Sequence, residues 1–339
     1  MEHRSPLASR NILPLLASPR TGLHSMQITR PKSFVMTKPD SRPRIRRRGI
    51  LAYWQEYLFI SPFFILFAIF FAYPIAWSLI LSFQKWDGVT AATWVGLDNY
   101  RFVLRDPITR KVFTNTFRYF IVLVPLGVFL PLVFGVLLNL PFLRFRGLFR
   151  TLIFLPTVTS LVGVGIVWKL LFGSANGWIN GILAKVGMGP YNWLKDPWLA
   201  QVPIDSLTIW STLGFATLIV LGGLQAIDED IYDAARIDGA SAFNIFWKIT
   251  LPLMRPVMVF LLITSTIGVM TIFSQPYVIT KGGPSNETLS PVMHMYNIGI
   301  GSSGATRIGD ASALSFILSA AMIVIVVAQF LITRRKEEI

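Results

Sequence analysis

The sequence contains no cysteine. Disulfides, zinc–thiolate centres and cysteine nucleophiles are therefore excluded. Histidine is nearly as scarce. His3, His24 and His294 are the three, too few for a His-rich metal site, so no metal is expected. Charge is sparse too. Asp, Glu, Lys and Arg make up 14% of the 339 residues, against about 25% in a soluble domain. The dipeptide Gly-Lys never occurs, so no P-loop is present. What fills the chain instead is apolar: 53% of residues are hydrophobic, and the mean hydropathy is +0.58. The net charge of +14 suggests nucleic acid until it is located. Residues 1–50 hold 11 of the 31 Lys and Arg against only Glu2 and Asp40. The basicity belongs to a tail, and nucleic acid is not an expected partner.

Cutting the sequence at charged residues leaves six long gaps. They are Tyr57–Gln84, Tyr119–Leu143, Thr151–Trp168, Ser206–Ile227, Pro256–Thr280 and Ala311–Thr333, each 18 to 28 residues long. A bilayer core about 30 Å thick takes roughly 20 apolar residues of helix. Buried helices of a soluble protein would show polar faces, and these runs show none. Lipid leaves no partner for free backbone groups, so helices rather than open strands are required. The fold class is therefore all-α: a polytopic membrane protein with six transmembrane helices, at about 57–83, 119–141, 150–171, 206–226, 257–280 and 311–333. None of the six charge-free runs holds an Asp or Glu. Ion-coupled carriers place such groups there. If this chain moves a solute uphill, energy must come from another subunit.

The cluster Arg42, Arg44, Arg46, Arg47 and Arg48 before the first run places the N-terminus in the cytoplasm. Six spans return the C-terminus to the same side. Residues 1–52 read as a basic, disordered cytoplasmic tail, with an over-long start before Met26 or Met36 and a transit peptide as alternatives. The loop Asp228–Arg255 has its own pattern. Asp228 is placed as an N-cap, with Glu229 and Asp230 in a first helical turn. Gly239 is placed to end that helix in a left-handed turn. Ser241 then caps a second short helix carrying Phe243, Phe246 and Trp247, closing before Leu251-Pro252. This cytoplasmic helix–turn–helix is expected to expose Ala234, Ala235 and Gly239 as a docking face.

The string Asp233-Ala234-Ala235-x-x-x-Gly239, followed by Ile249-x-Leu251-Pro252, resembles the EAA motif of permease subunits in binding-protein-dependent ABC importers. Tyr73-Pro74, Gly96-Leu97-Asp98-Asn99-Tyr100, Arg146-Gly147-Leu148-Phe149-Arg150, Asn192-Trp193-Leu194 and Gly282-Gly283-Pro284 resemble its carbohydrate and glycerol-3-phosphate branch, across residues 53–335. The resemblance implies a coupling helix bearing Tyr232, Asp233, Ala234, Ala235, Asp238 and Gly239, seated in a cleft of an ATPase subunit. Asp233 stands where the family usually has Glu. The resemblance also implies a second permease subunit, usually a paralogue, two ATP-binding cassette ATPases, an extracytoplasmic solute-binding protein and a bacterial or archaeal cytoplasmic membrane. No cofactor and no catalytic residue are implied. Half of the translocation path would come from Ser211, Thr212 and Phe215 in span four and Ser265, Gly268, Thr271 and Gln275 in span five. Thr264, Gly268, Thr271 and Gln275 fall on one helix face, which suits either helix packing or a sugar path. Two rival functions remain distinct. A stand-alone secondary carrier would transport without an ATPase, and a membrane-embedded lipid enzyme would need acids or histidines clustered at an interface.

Overall fold

The computed structural model describes residues 54–301 and 306–334. The basic tail, Arg335 and Lys336 lie outside the described residues. Of a first unit, residues 1–60, the described part is Trp54–Ile60, the exposed opening of helix α1. The remainder of the described chain belongs to a second unit, residues 61–339.

Helix α1 runs Trp54–Leu81, with a π turn at Ala68–Ala72 that relaxes just ahead of Pro74. The only paired strands among the described residues are β1, Gln84–Lys85, and β2, Thr93–Trp94, which form an antiparallel hairpin. Helix α2, Asp98–Arg105, is followed by α3, Pro107–Asn139. Asp106 caps α3, accepting from the backbone N–H of Ile108 and Thr109, and Pro107 sits where a missing N–H costs nothing. Helix α4, Arg146–Phe154, tightens into a 3₁₀ turn at Leu155–Val158. Helix α5, Leu161–Leu171, leaves that turn bent by 98°. Helix α6 spans Trp178–Ala184 and α7 spans Gln201–Gln225. Helix α8, Glu229–Ile237, and α9, residues 242–253, form a hairpin. Then come α10, Arg255–Met270; α11, Ser274–Ile279; α12, Pro291–Ile300; and α13, Ile308–Arg334.

Among the described residues, five helices are long and apolar enough to cross a membrane, and six when the bent α4–α5 pair is counted as one span. The chain is therefore an all-α polytopic membrane protein. Several helices outrun the charge-free runs. Helix α3 begins at Pro107 and takes in Arg110, Lys111 and Arg118; α7 begins at Gln201 and takes in Asp205. Charge ends an apolar run but need not end a helix, because backbone hydrogen bonds continue beneath charged side chains. The expectation that the spans lack acids is corrected accordingly. Asp205 is 8% exposed in α7, and Asp310 lies in the first turn of α13, paired with Arg307 at 2.6 Å.

Among the described residues four hydrophobic clusters form, and two of them hold α3, α7 and α10 together. One gathers Tyr119, Leu123, Ile204, Leu207, Val269, Ile272 and Ile279 from α3, α7, α10 and α11. The other gathers Leu132, Val220, Leu224, Met254 and Leu261. Helices α3 and α7 pack along each other, and α10 lies across α3. At Gly214 the backbones meet: a Cβ there would stand 2.2 Å from the Ile153 carbonyl oxygen. Small residues allow such approach between membrane helices, where packing rather than water exclusion drives association.

Candidate functional site

The α8–α9 hairpin is built largely as its residues dictate. Asp228 accepts from the Asp230 N–H at 3.1 Å, and Ser241 accepts from the Asn244 N–H at 3.3 Å. Gly239 has φ +76°, and the Ala240 N–H returns to the Ala235 carbonyl at 2.9 Å, closing the helix end. Asp233 pairs with Arg236 at 2.6 Å; both side chains are more than 60% exposed, so the pair is worth little. The Tyr232 hydroxyl reaches the Thr250 hydroxyl at 3.3 Å and ties α8 to α9. Ala234, Asp238 and Gly239 are exposed.

Two features differ from the sequence expectation. Ala235 is 8% exposed and packs inward, so the small-residue face consists of Ala234 and Gly239. Helix α9 does not stop before Leu251-Pro252. It passes from Ala242–Ile245 through a π turn, Phe246–Thr250, into Leu251–Leu253. The backbone N–H of Met254 bonds the Thr250 carbonyl, and that of Met258 bonds the Met254 carbonyl. Hydrogen bonding thus continues from α9 into α10. Ile237, Phe243 and Trp247 stand exposed on the hairpin.

Between α3, α7, α10 and α11 lies a cavity of about 430 Å³. Thr212 and Phe215 line it from α7; Ser265, Gly268, Thr271 and Gln275 line it from α10 to α11, and Thr264 joins them. Ser211 does not; its hydroxyl donates to the Thr208 carbonyl at 3.0 Å. The single helix face expected for Thr264, Gly268, Thr271 and Gln275 is interrupted, since α10 ends at Met270 and α11 starts at Ser274. The break turns Thr271, Phe273 and Gln275 toward the same space. Missed from the sequence were Thr208, one helical turn before Thr212, and the α3 wall of Leu126, Gly127 and Pro131. The first was legible from its i, i+4 relation to Thr212; the second carries no polar signal.

A polar layer also escaped the sequence reading. Glu287 accepts from Arg118 at 2.8 Å and from Lys111, and Asn115 donates to the carbonyls of Asn286 and Leu289. The Tyr119 hydroxyl donates to the Thr288 carbonyl at 3.0 Å. The segment after α11 is thereby pinned to α3. Burial raises the Glu287 carboxyl, but hydrogen bonds and charge from Lys111 and Arg118 outweigh it, and the group is held below the usual range. Nearby, His294 of α12 meets the Asp106 carboxylate at 3.2 Å. Burial pushes the His294 imidazole below its ordinary value despite that carboxylate.

Within the second unit, the exposed α8–α9 hairpin thus joins two helices that line one cavity. The chain belongs to the family described as "Binding-protein-dependent transport system inner membrane component", whose model matches residues 125–337. It is 38% identical to the lactose transport system permease protein LacF of Rhizobium radiobacter over 262 residues, 76% of this chain and 86% of that one. It is 36% identical to the trehalose/maltose transport system permease protein MalF of Thermococcus litoralis, over 77% of this chain and 88% of the relative. It is 34% identical to the arabinooligosaccharides transport system permease protein AraP of Bacillus subtilis, over 79% and 85%. Its fold matches a chain of a bacterial ABC transporter involved in the import of the acidic polysaccharide alginate. The TM-score is 0.74 at 22% identity, covering 84% of this chain and 97% of the other. A second structure of an alginate transporter, in complex with a pentasaccharide-bound periplasmic protein, matches with a TM-score of 0.72 at 21% identity.

Proposed function

We propose that this chain is the permease subunit of an ATP-driven importer of a sugar or sugar-like solute. The cavity between α3, α7, α10 and α11 is half of the solute path, and a second permease subunit, usually a paralogue in this family, completes it. The α8–α9 hairpin docks on a separate ATPase, one of two, through Tyr232, Asp233, Ala234, Asp238 and Gly239 and the exposed Ile237, Phe243 and Trp247. An extracytoplasmic solute-binding protein delivers the cargo to the opposite face. The chain has no ATP site of its own and performs no covalent chemistry. Both termini lie in the cytoplasm, as the arginines before α1 favour.

The observation that carries this reading is connectivity. Helix α7 runs directly into the hairpin, and the hairpin runs directly into α10. Both flanking helices line the cavity. Movement at the hairpin therefore reaches both walls, and a nucleotide-driven closure that grips it differently in two states will shift the bundle between them. The names of LacF, MalF and AraP support a saccharide cargo.

The test is Gly239→Val. A β-branched residue at φ +76° is strained, yet the position faces open space, so the bundle itself is spared. Insertion should be normal, while ATP-dependent uptake falls at least tenfold and the ATPase co-purifies poorly. Uptake at the wild-type rate would remove the hairpin from coupling.

A further inference from the structure

Away from the cavity, helix α3 carries an apolar groove with a charged end. Near the N-terminus of α3 a hollow of about 460 Å³ is lined by Leu104 of α2 and by Arg110, Phe113 and Phe117. A second hollow, about 660 Å³, starts at the same Phe117 and passes Ile121 and Pro125 to reach Met258 and Leu262 of α10. Arg110, Phe113, Phe117, Ile121 and Pro125 follow one another in steps of three and four residues, so both hollows lie along one helix face. Arg105 and Arg110 are exposed, and neither forms an ion pair among the described residues. The carboxylate of Asp106, between them, is taken by the N–H groups of Ile108 and Thr109 and by His294. Helix length sets the depth. From Arg110 to Asn139, where α3 ends, is about 44 Å at 1.5 Å per residue. A bilayer with its headgroups is about 40–45 Å thick. Arg110 therefore stands at phosphate level, and Pro125, about 22 Å along, at the midplane.

From this we propose that the groove holds one anionic glycerophospholipid, its phosphate on Arg110 with Arg105 alongside and one acyl chain laid over Phe113, Phe117 and Ile121. The charges match. Guanidinium groups donate to phosphate oxygens in a fixed fork, and each basic side chain at headgroup level adds attraction for an anionic lipid. The reach matches too. An acyl chain anchored at phosphate level ends near the midplane, where Pro125 opens the second hollow. A neighbouring protein helix laid in the groove would have to bring an acid to Arg110 to do the same, whereas every phospholipid carries its phosphate at that depth. That this is the outer leaflet rests on the cytoplasmic placing of the α8–α9 hairpin proposed above.

The experiment places the assembled transporter in phosphatidylcholine nanodiscs doped with phosphatidylglycerol that carries a diazirine on one acyl chain. After irradiation, lipid adducts are mapped by mass spectrometry. Adducts should concentrate on residues 113–125, about tenfold above those left by phosphatidylcholine with the same diazirine. The Arg105→Gln/Arg110→Gln double variant should bring labelling down to the phosphatidylcholine level. Arg101→Gln, whose arginine is paired with Asp98 at 2.9 Å, should leave it unchanged. Equal labelling by the two lipids overturns the proposal, and that contrast needs only the wild-type chain. So does labelling untouched by the double variant, and so does a lack of adducts on residues 113–125, the result expected where a partner helix fills the groove. Labelling requires neither ATP nor cargo. Its failure therefore leaves the importer reading standing, and a loss of ATP-driven uptake leaves the lipid site standing.

Discussion

Glu287 bridges Lys111 and Arg118 across 170 or so residues of chain, and no local pattern announces it. An acid in a loop after a span reads as a solvated charge until the fold brings α3 beneath it. Its depressed pKa fixes the sign of its pH dependence. The native state holds the carboxylate ionised more strongly than the unfolded chain does. Its contribution is therefore present above the unfolded value and lost as pH falls below 4.5 through the lower native value. Glu287→Gln should lower the melting temperature at pH 7 by on the order of 3 °C, and the deficit should shrink as pH falls below 4.5, read by differential scanning fluorimetry. His294 carries the same sign. Its native pKa is depressed, so the unfolded chain binds the proton more readily, and stability declines as pH drops below 6.5. The local structure of the α8–α9 hairpin, by contrast, was legible. Asp233, Ala234 and Gly239 lie on contiguous residues whose helix signals are local, and only the inward turn of Ala235 needed tertiary packing to reveal it.

At the level of elements, caps and turns were readable and breaks were not. Asp228, Gly239 and Ser241 each perform the role their side chains specify, because a cap is decided within four residues. The 98° bend between α4 and α5 falls at Pro156 in the 3₁₀ turn and the extended Thr159 behind it, but proline alone did not decide it. Pro125 and Pro131 sit inside an unbroken α3. Neighbours that fill the space around a proline settle which course the chain takes. Gly214 tests the packing at this bend. Gly214→Val must displace the Ile153 carbonyl, so it should cost about 2 kcal/mol or more, seen as a lower melting temperature. Gly222→Ala, where the added methyl meets open space, should be neutral or stabilise by up to about 1 kcal/mol. Equal effects from the two would refute the close α7–α4 approach.

For the whole molecule, span number and fold class were legible because lipid leaves the backbone so few options. The cavity was half legible: polar spacing found α7 and α10, but the apolar α3 wall has no chemical mark. Orientation is open to direct measurement, and the absence of cysteine makes the native sequence a ready background. Cysteines placed singly at Ala234 and at Val89, both exposed, should label from opposite sides of sealed vesicles, Ala234 only from the cytoplasmic side. Labelling of both from one side would break the six-crossing topology. A last consequence follows from the join between α9 and α10. The two helices meet at Met254, which caps both, and hydrogen bonds on either side of it link Thr250 to Met254 and Met254 to Met258. A tilt of α10 by a few degrees about that point would displace Gly268 by an ångström or more, since it lies about 20 Å further along at 1.5 Å per residue. The cavity wall can thus shift as a whole without being reshaped.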